Sequence, residues 1–173
     1  AFGLTFTNDA PGGAFEFRVF WNNISNAPAL TLIDTDVDAA HSWTAANLSH
    51  DLGQLDGMNA WCADPARNHA SGAIVYGVNT RQISAGWHSV VFELKMDNFN
   101  RDTSKVATVS VVDTETGKIC AALDVARNDF PTTLYQSIAL KFQAEAGHRY
   151  DFRTVWHYAP HAPRLTQRSV IVK

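Results

Sequence analysis

The sequence predicts an all-β protein: an antiparallel β-sandwich or jelly roll, with an extra N-terminal strand segment repeated from the C-terminal strands. Three observations lead there. Apolar and polar residues alternate with period two over several stretches, turn residues separate those stretches at short spacing, and one part of the chain is a second copy of another.

The copy sets the organisation. Residues 15–21 (Phe-Glu-Phe-Arg-Val-Phe-Trp) match 150–156 (Tyr-Asp-Phe-Arg-Thr-Val-Trp) at an offset of 135, which is 150 − 15. At that offset eight of the 23 positions from 15 to 37 are identical: Phe17, Arg18, Trp21, Ala27, Pro28, Leu30, Thr31 and Val37. With one residue slipped in the turn, Leu4-Thr5-Phe6 meets Leu140-Lys141-Phe142. The period is too long for a solenoid repeat and has the size of a whole sandwich domain. Residues 1–37 are therefore predicted to be the last strands of a preceding, truncated repeat, and 38–173 a complete sandwich. Phe2, Leu4, Phe6, Phe15 and Phe17 would give apolar strand faces that need a partner, in cis or by strand donation to another chain.

The strands follow in order. His88, Val90, Phe92, Leu94 and Met96 share one face, with Ser89, Glu93 and Lys95 on the other. The stretch 106–112 is β-rich without a clear phase. Ile119, Ala121, Leu123 and Val125 alternate next, then Leu134, Ile138, Leu140 and Phe142, then Tyr150, Phe152, Thr154 and Trp156, and a last strand over 165–172. Asp56-Gly57, Ala85-Gly86, Glu115-Thr116-Gly117 and Ala146-Gly147 mark turns. Residues 41–68 show no regular period and read as a long ordered lead-in covering one end of the sandwich. Within it, Asp64-Pro65-Ala66-Arg67 predicts one helical turn, with Asp64 as cap and Pro65 in the first turn.

Composition narrows the partners. Net charge is −3 with no basic run, which argues against nucleic acid. No apolar stretch is long enough for a membrane span. Four glutamates and five lysines are few for a helix-rich protein. Cys62 and Cys120 read equally as a disulfide or as two separate buried thiols.

Further residues carry a likeness. His50-Asp51-Leu52-Gly53, Asp56-Gly57, Trp61, Val75-Tyr76-Gly77, Ala85-Gly86-Trp87-His88, Lys95-Met96-Asp97-Asn98, Ala107-Thr108-Val109, Asp129-Phe130, Tyr135-Gln136 and Phe152-Arg153-Thr154-Val155-Trp156 follow one another along the chain. Over roughly residues 48–173 the chain resembles the jelly-roll, carbohydrate-binding-module-like domains of bacterial secreted and cell-surface proteins. The resemblance implies an ancillary sugar-binding role, and often a structural Ca²⁺.

Candidate site residues were sought outside the core phase. Trp156 and Trp21 lie in phase with Phe152 and Phe17 and read as core. Trp61, Trp87 and Tyr158 do not, and are candidates for stacking on the C–H faces of a sugar ring. The loop His157-Tyr158-Ala159-Pro160-His161 replaces Asn22-Asn23-Ile24-Ser25-Asn26 of the other copy. Divergent loops on a constant framework are where specificity resides, so His157 and His161 join the list. His157-x-x-x-His161 is a poor metal pair, because Pro160 opposes a helix and no third ligand is near. Arg153, beside Asp151 on one strand face, reads as an ion pair or as a planar donor for sugar hydroxyls. Asp34, Asp36 and Asp38 place three carboxylates on one face at the unit boundary, a candidate Ca²⁺ cluster or a solvated acidic linker.

No hydrolase, phosphate or dinucleotide motif appears, and Glu93, the one tempting glutamate, has Lys95 on its own face. The sequence therefore predicts a non-enzymatic, extracellular carbohydrate-binding module of a larger tandem-repeat protein. Its partners would be a glycan and neighbouring copies. The alternatives are a structural or adhesive surface repeat assembled by strand donation, and a fragment of a secreted glycoside hydrolase.

Overall fold

Two antiparallel sheets face each other in the computed structural model, which describes residues 41–57, 59–97 and 102–173. The copied segment 2–37, and with it Asp34, Asp36 and Asp38, lies outside the described residues.

The strands are β1 (His41–Thr44), β2 (Gln54–Asp56), β3 (Ala60–Ala63), β4 (Gly72–Val75), β5 (Gly86–Met96), β6 (Lys105–Asp113), β7 (Ile119–Ala126), β8 (Gln136–Ala144), β9 (Tyr150–Trp156) and β10 (Leu165–Val172). The larger sheet runs β2-β3-β10-β5-β8, with β1 also on β10, and the smaller runs β4-β9-β6-β7. Consecutive strands β8, β9 and β10 alternate between the two sheets, as a jelly roll requires. This is the predicted sandwich.

Period two explains what each layer buries. In β5, His88 is 7% exposed and Val90, Phe92, Leu94 and Met96 are fully buried. In β9, Tyr150, Phe152, Thr154 and Trp156 point inward, and Trp156 is a core residue as expected. The unclear phase of 106–112 has a physical cause. The register between β6 and β7 slips between Lys105 and Ala107 and again between Val111 and Val112. Each bulge puts two neighbouring residues on the buried side, so Val106 and Ala107 are both buried, as are Val111 and Val112.

Two expectations are corrected, and one left open is decided. Residues 41–68 are not a cover for one end. They supply β1, β2 and β3, with β1 and β3 lying end to end along β10. Strands of three or four residues are too short for a period to show. Leu134 is not inward-facing core; it precedes β8 and is 70% exposed. Cys62 and Cys120 are free thiols in different sheets. The turn at Asp64 does form. Its side chain accepts the Ala66 N–H at 2.9 Å, and its carbonyl accepts the Asn68 N–H at 2.7 Å.

Candidate functional site

The six predicted ligand-binding residues fall in separate places. Trp87 opens β5 at the end of the sandwich where Gly86 pairs with Ala144. The 157–161 loop leaves β9 at the opposite end, where Trp156 pairs with Ala107. Trp61 lies in β3, opposite Gln167.

Trp61 is stacked on His50, with ring centroids 3.6 Å apart, and its indole N–H donates to the Leu52 carbonyl at 2.9 Å. Tyr158 is half-buried, edge-on to Trp156 and His69. Burial, with Lys105 nearby, lowers the His157 pKa. Thr108 Oγ1 lies 2.9 Å from Asp124 and 2.8 Å from His157 Nε2. Asp124 is held ionised by Lys105 and Thr108, so it only accepts. The single Thr108 proton therefore goes to Asp124, and His157 Nε2 carries a hydrogen and donates to Thr108. His161 is exposed, with φ of 69°, and its carbonyl accepts from Arg127. Arg153 reaches Asp151 at 3.3 Å. Of Trp61, Trp87 and Tyr158, Trp87 is the most open, at 71% exposure.

A larger feature was not anticipated. A cleft of about 750 Å³ opens at the sandwich edge where β1, the chain after β4 and the turns at 114–115 and 149–151 meet. Trp43 and Tyr76 supply its aromatic wall. Trp43 is held by stacking on Phe152 at 5.7 Å and beside His41 at 5.9 Å. Arg81, Glu115 and Arg149 form a row across it, with Arg81–Glu115 at 2.9 Å and Arg149–Glu115 at 3.5 Å. The Arg81 hydrogen bond, ahead of the other nearby charges, lowers the Glu115 pKa.

The backbone of this cleft is strained. Gly77, Val78 and Asn79 all have positive φ, at 109°, 74° and 44°. For a β-branched residue such as Val78 this is an outlier, and such strain collects at functional sites. The cause is a bulge. Val75 pairs with Thr154 and Thr80 with Tyr150, five residues apart on one strand (80 − 75) and four on the other (154 − 150). The extra residue lifts the chain off β9. Three bonds pin it: Phe152 N–H to the Gly77 carbonyl at 3.1 Å, Asn79 N–H to Asp151 Oδ1 at 2.8 Å, and the Thr114 hydroxyl to Asn79 Oδ1 at 2.9 Å. Val75-Tyr76-Gly77 was visible in the sequence, but a bulge leaves no periodic signal.

The carboxylates suit binding better than hydrolysis. A glycosidase acid needs a raised pKa. Glu115 is lowered, and Glu93 is lowered chiefly by its bond from Arg168. The partner of Glu93 is Arg168, at 3.0 and 2.6 Å, with Ser169 also bonded to it, whereas Lys95 pairs with Asp56 at 3.8 Å. Among the described residues no group of three or more His, Cys, Asp or Glu is placed to hold a metal ion.

Beside the cleft, Asp113 and His148 form a titrating pair at 2.8 Å. Burial pushes the Asp113 carboxyl up, but bonds from His148, Thr116 and the Glu115 N–H outweigh it and bring it to about 2. The same bond raises His148. The sign follows by linkage. The His148 contribution is complete below the unfolded histidine value, about 6.5, and is lost as pH rises through the higher folded value. The Asp113 contribution is complete above about 4 and is lost as pH falls toward 2. Urea midpoints of the wild type are expected to fall as pH rises above about 6.5, and His148→Gln should flatten that slope. An unchanged slope would remove the pair from the account.

No family model matches the sequence, and no curated protein does. Solved structures are similar to it. The C-terminal family 6 carbohydrate-binding module of a marine laminarinase from Zobellia galactanivorans aligns with a TM-score of 0.46 and 7% identity, over 78% of this chain and 99% of that one. A family 35 carbohydrate-binding module from Clostridium thermocellum gives 0.47 at 14% identity, over 77% and 98%. An insecticidal delta-endotoxin from Bacillus thuringiensis gives 0.50 at 8% identity, over 79% of this chain and 24% of that one. The likeness at 0.50 is one of fold. At these identities the ligand is not part of the likeness.

Proposed function

We propose that residues 38–173 are a non-enzymatic carbohydrate-binding module of a secreted or cell-surface tandem-repeat protein, and that the edge cleft is its sugar site. One observation carries this reading: an aromatic wall and a fixed Arg–Glu–Arg row stand in a single cleft of about 750 Å³. That size is in the range of small-ligand sites. Sugars ask for this combination. Their C–H faces pack on Trp43 and Tyr76, and their paired hydroxyls meet planar groups in bidentate fashion. Arg81 and Arg149 are already oriented by Glu115, so little side-chain entropy is lost on binding. The pinned bulge at 77–79 fixes the cleft floor in the same way.

Glycan arrays and affinity electrophoresis test it. Arg81→Gln and Arg149→Gln are surface changes that should leave the fold intact while weakening retention of the bound glycan by about tenfold, the worth of a charged hydrogen bond. A domain that retains no glycan would overturn the reading. Association between copies, without glycan binding, would favour the adhesive repeat instead.

A further inference from the structure

A second cleft, of about 550 Å³, lies between the ends of β5 and β8 and the β6–β7 turn. It is lined by Trp87, Lys118, Lys141, Gln143, Asp113 and Glu145, among others. The turn that gives Glu115 to the first cleft gives Asp113 and Lys118 to this one.

Its charges are arranged unevenly. Asp113 is 3% exposed and has its bonds satisfied by His148, Thr116 and the Glu115 N–H at 2.8, 2.7 and 3.0 Å. Glu145 lies 3.7 Å from the other nitrogen of His148. Both carboxylates of the cleft therefore look toward a histidine whose pKa is raised. Lys118 and Lys141 form no ion pair among the described residues. On a chain of net charge −3, two exposed ammonium groups thus stand without a carboxylate partner among the described residues. Beside them stands Trp87, 71% exposed, the most exposed large hydrophobic among the described residues. Among the described residues β8 is the edge strand of its sheet, so alternate residues turn N–H and C=O groups outward with no described strand to pair them.

We infer that this cleft is a second binding site, selective for saccharides that carry carboxylates, such as uronic acid oligomers. The ring stacks on Trp87, the carboxylate lies between Lys118 and Lys141, and the hydroxyls bond Gln143 and the free edge of β8. A neutral sugar would satisfy the indole and leave both ammonium groups unmatched. The site is independent of the first cleft, since it shares neither Arg81 nor Arg149.

Calorimetric titration of the full chain tests it, with galacturonic acid oligomers and their methyl esters as probes. The ester keeps the sugar backbone and removes the charge. The acid form should bind, and the ester should bind about tenfold more weakly, as should the Lys118→Gln/Lys141→Gln double variant to the acid form; each lysine alone is worth about twofold to fivefold, the scale of an exposed ion pair. Trp87→Ala should weaken binding about tenfold or more, as a central aromatic does. The inference is overturned by an acid oligomer that does not bind, by ester and acid bound equally, or by acid binding that follows Arg81 and not the lysines. Binding of a sulfated oligosaccharide at Trp87, Lys118 and Lys141 with no binding of the carboxylated one would overturn the carboxylate class.

Discussion

Replacing Asp151 by alanine is expected to destabilise the domain by about 2 kcal/mol, chiefly the cost of leaving a part-buried N–H without its acceptor, since the Arg153 side chain is 41% exposed and its ion pair adds little. The Asp151 side chain is 11% exposed, and both its oxygens are engaged. Oδ1 takes the Asn79 N–H at 2.8 Å, and Oδ2 faces Arg153 at 3.3 Å. Alanine leaves that N–H without its acceptor and a guanidinium, whose Nε is already buried without a partner, without its counter-charge. The bulge then keeps the Phe152 bond to Gly77 and the Thr114 bond to the Asn79 side chain, while Val78 keeps its unfavourable φ. Asp151→Asn separates the parts. The amide oxygen still accepts from Asn79, so only the charge opposite Arg153 is lost. Urea unfolding should rank wild type above Asp151→Asn, and that above Asp151→Ala, with a common m-value. Glycan affinity should follow the same order, because the turn forms the floor of the first cleft. Equal loss in both variants would mean that the bond to Asn79 does not hold the turn.

The sequence made the sandwich legible wherever a strand was long enough to show its period. β5 and β9 were read residue by residue, because five or more alternations leave little doubt about phase. β1, β2 and β3 were not, since three or four residues cannot distinguish a strand from an ordered loop. The site was legible only in part. Trp87 stands exposed as its position outside the core phase implied. The edge cleft was missed because its parts come from five distant stretches, and no local pattern connects Trp43 to Arg81 or Glu115. Asp151 and Arg153 were noticed as a recurring pair, but their role needs Asn79, 72 residues away. Trp61 shows the ambiguity most plainly. An aromatic among turn residues reads equally as a platform or as a plug, and the destination of its indole N–H decides.

That destination makes Gly53 a sensitive backbone position: among the described glycines, its added Cβ would meet the closest neighbour. Gly53→Ala is expected to cost about 3 kcal/mol or more, from two terms that add. Its φ of +96° is one that residues with a Cβ rarely adopt, and an added Cβ would stand 2.5 Å from the Cys62 carbonyl and 2.8 Å from Trp61 Nε1. The carbonyl is backbone in β3 and cannot swing away. Relief would have to come from the β2–β3 hairpin, where Gln54 pairs with Cys62 and Leu55 with Trp61. Shifting it breaks the indole bond to Leu52 and the stack on His50. Gly57, in the same hairpin, is the control. Its φ is +75°, but nothing lies within 4 Å of an added Cβ, so alanine there costs only the backbone strain, about 1 kcal/mol. At about 2–4 °C per kcal/mol for a chain of this size, Gly53→Ala should lower Tm by about 6–12 °C, and Gly57→Ala by less than half of that. Similar losses in both would show that conformation alone is at stake. A larger loss at Gly53 would assign the difference to the close approach of β3, and make Trp61 the residue that closes this end of the larger sheet.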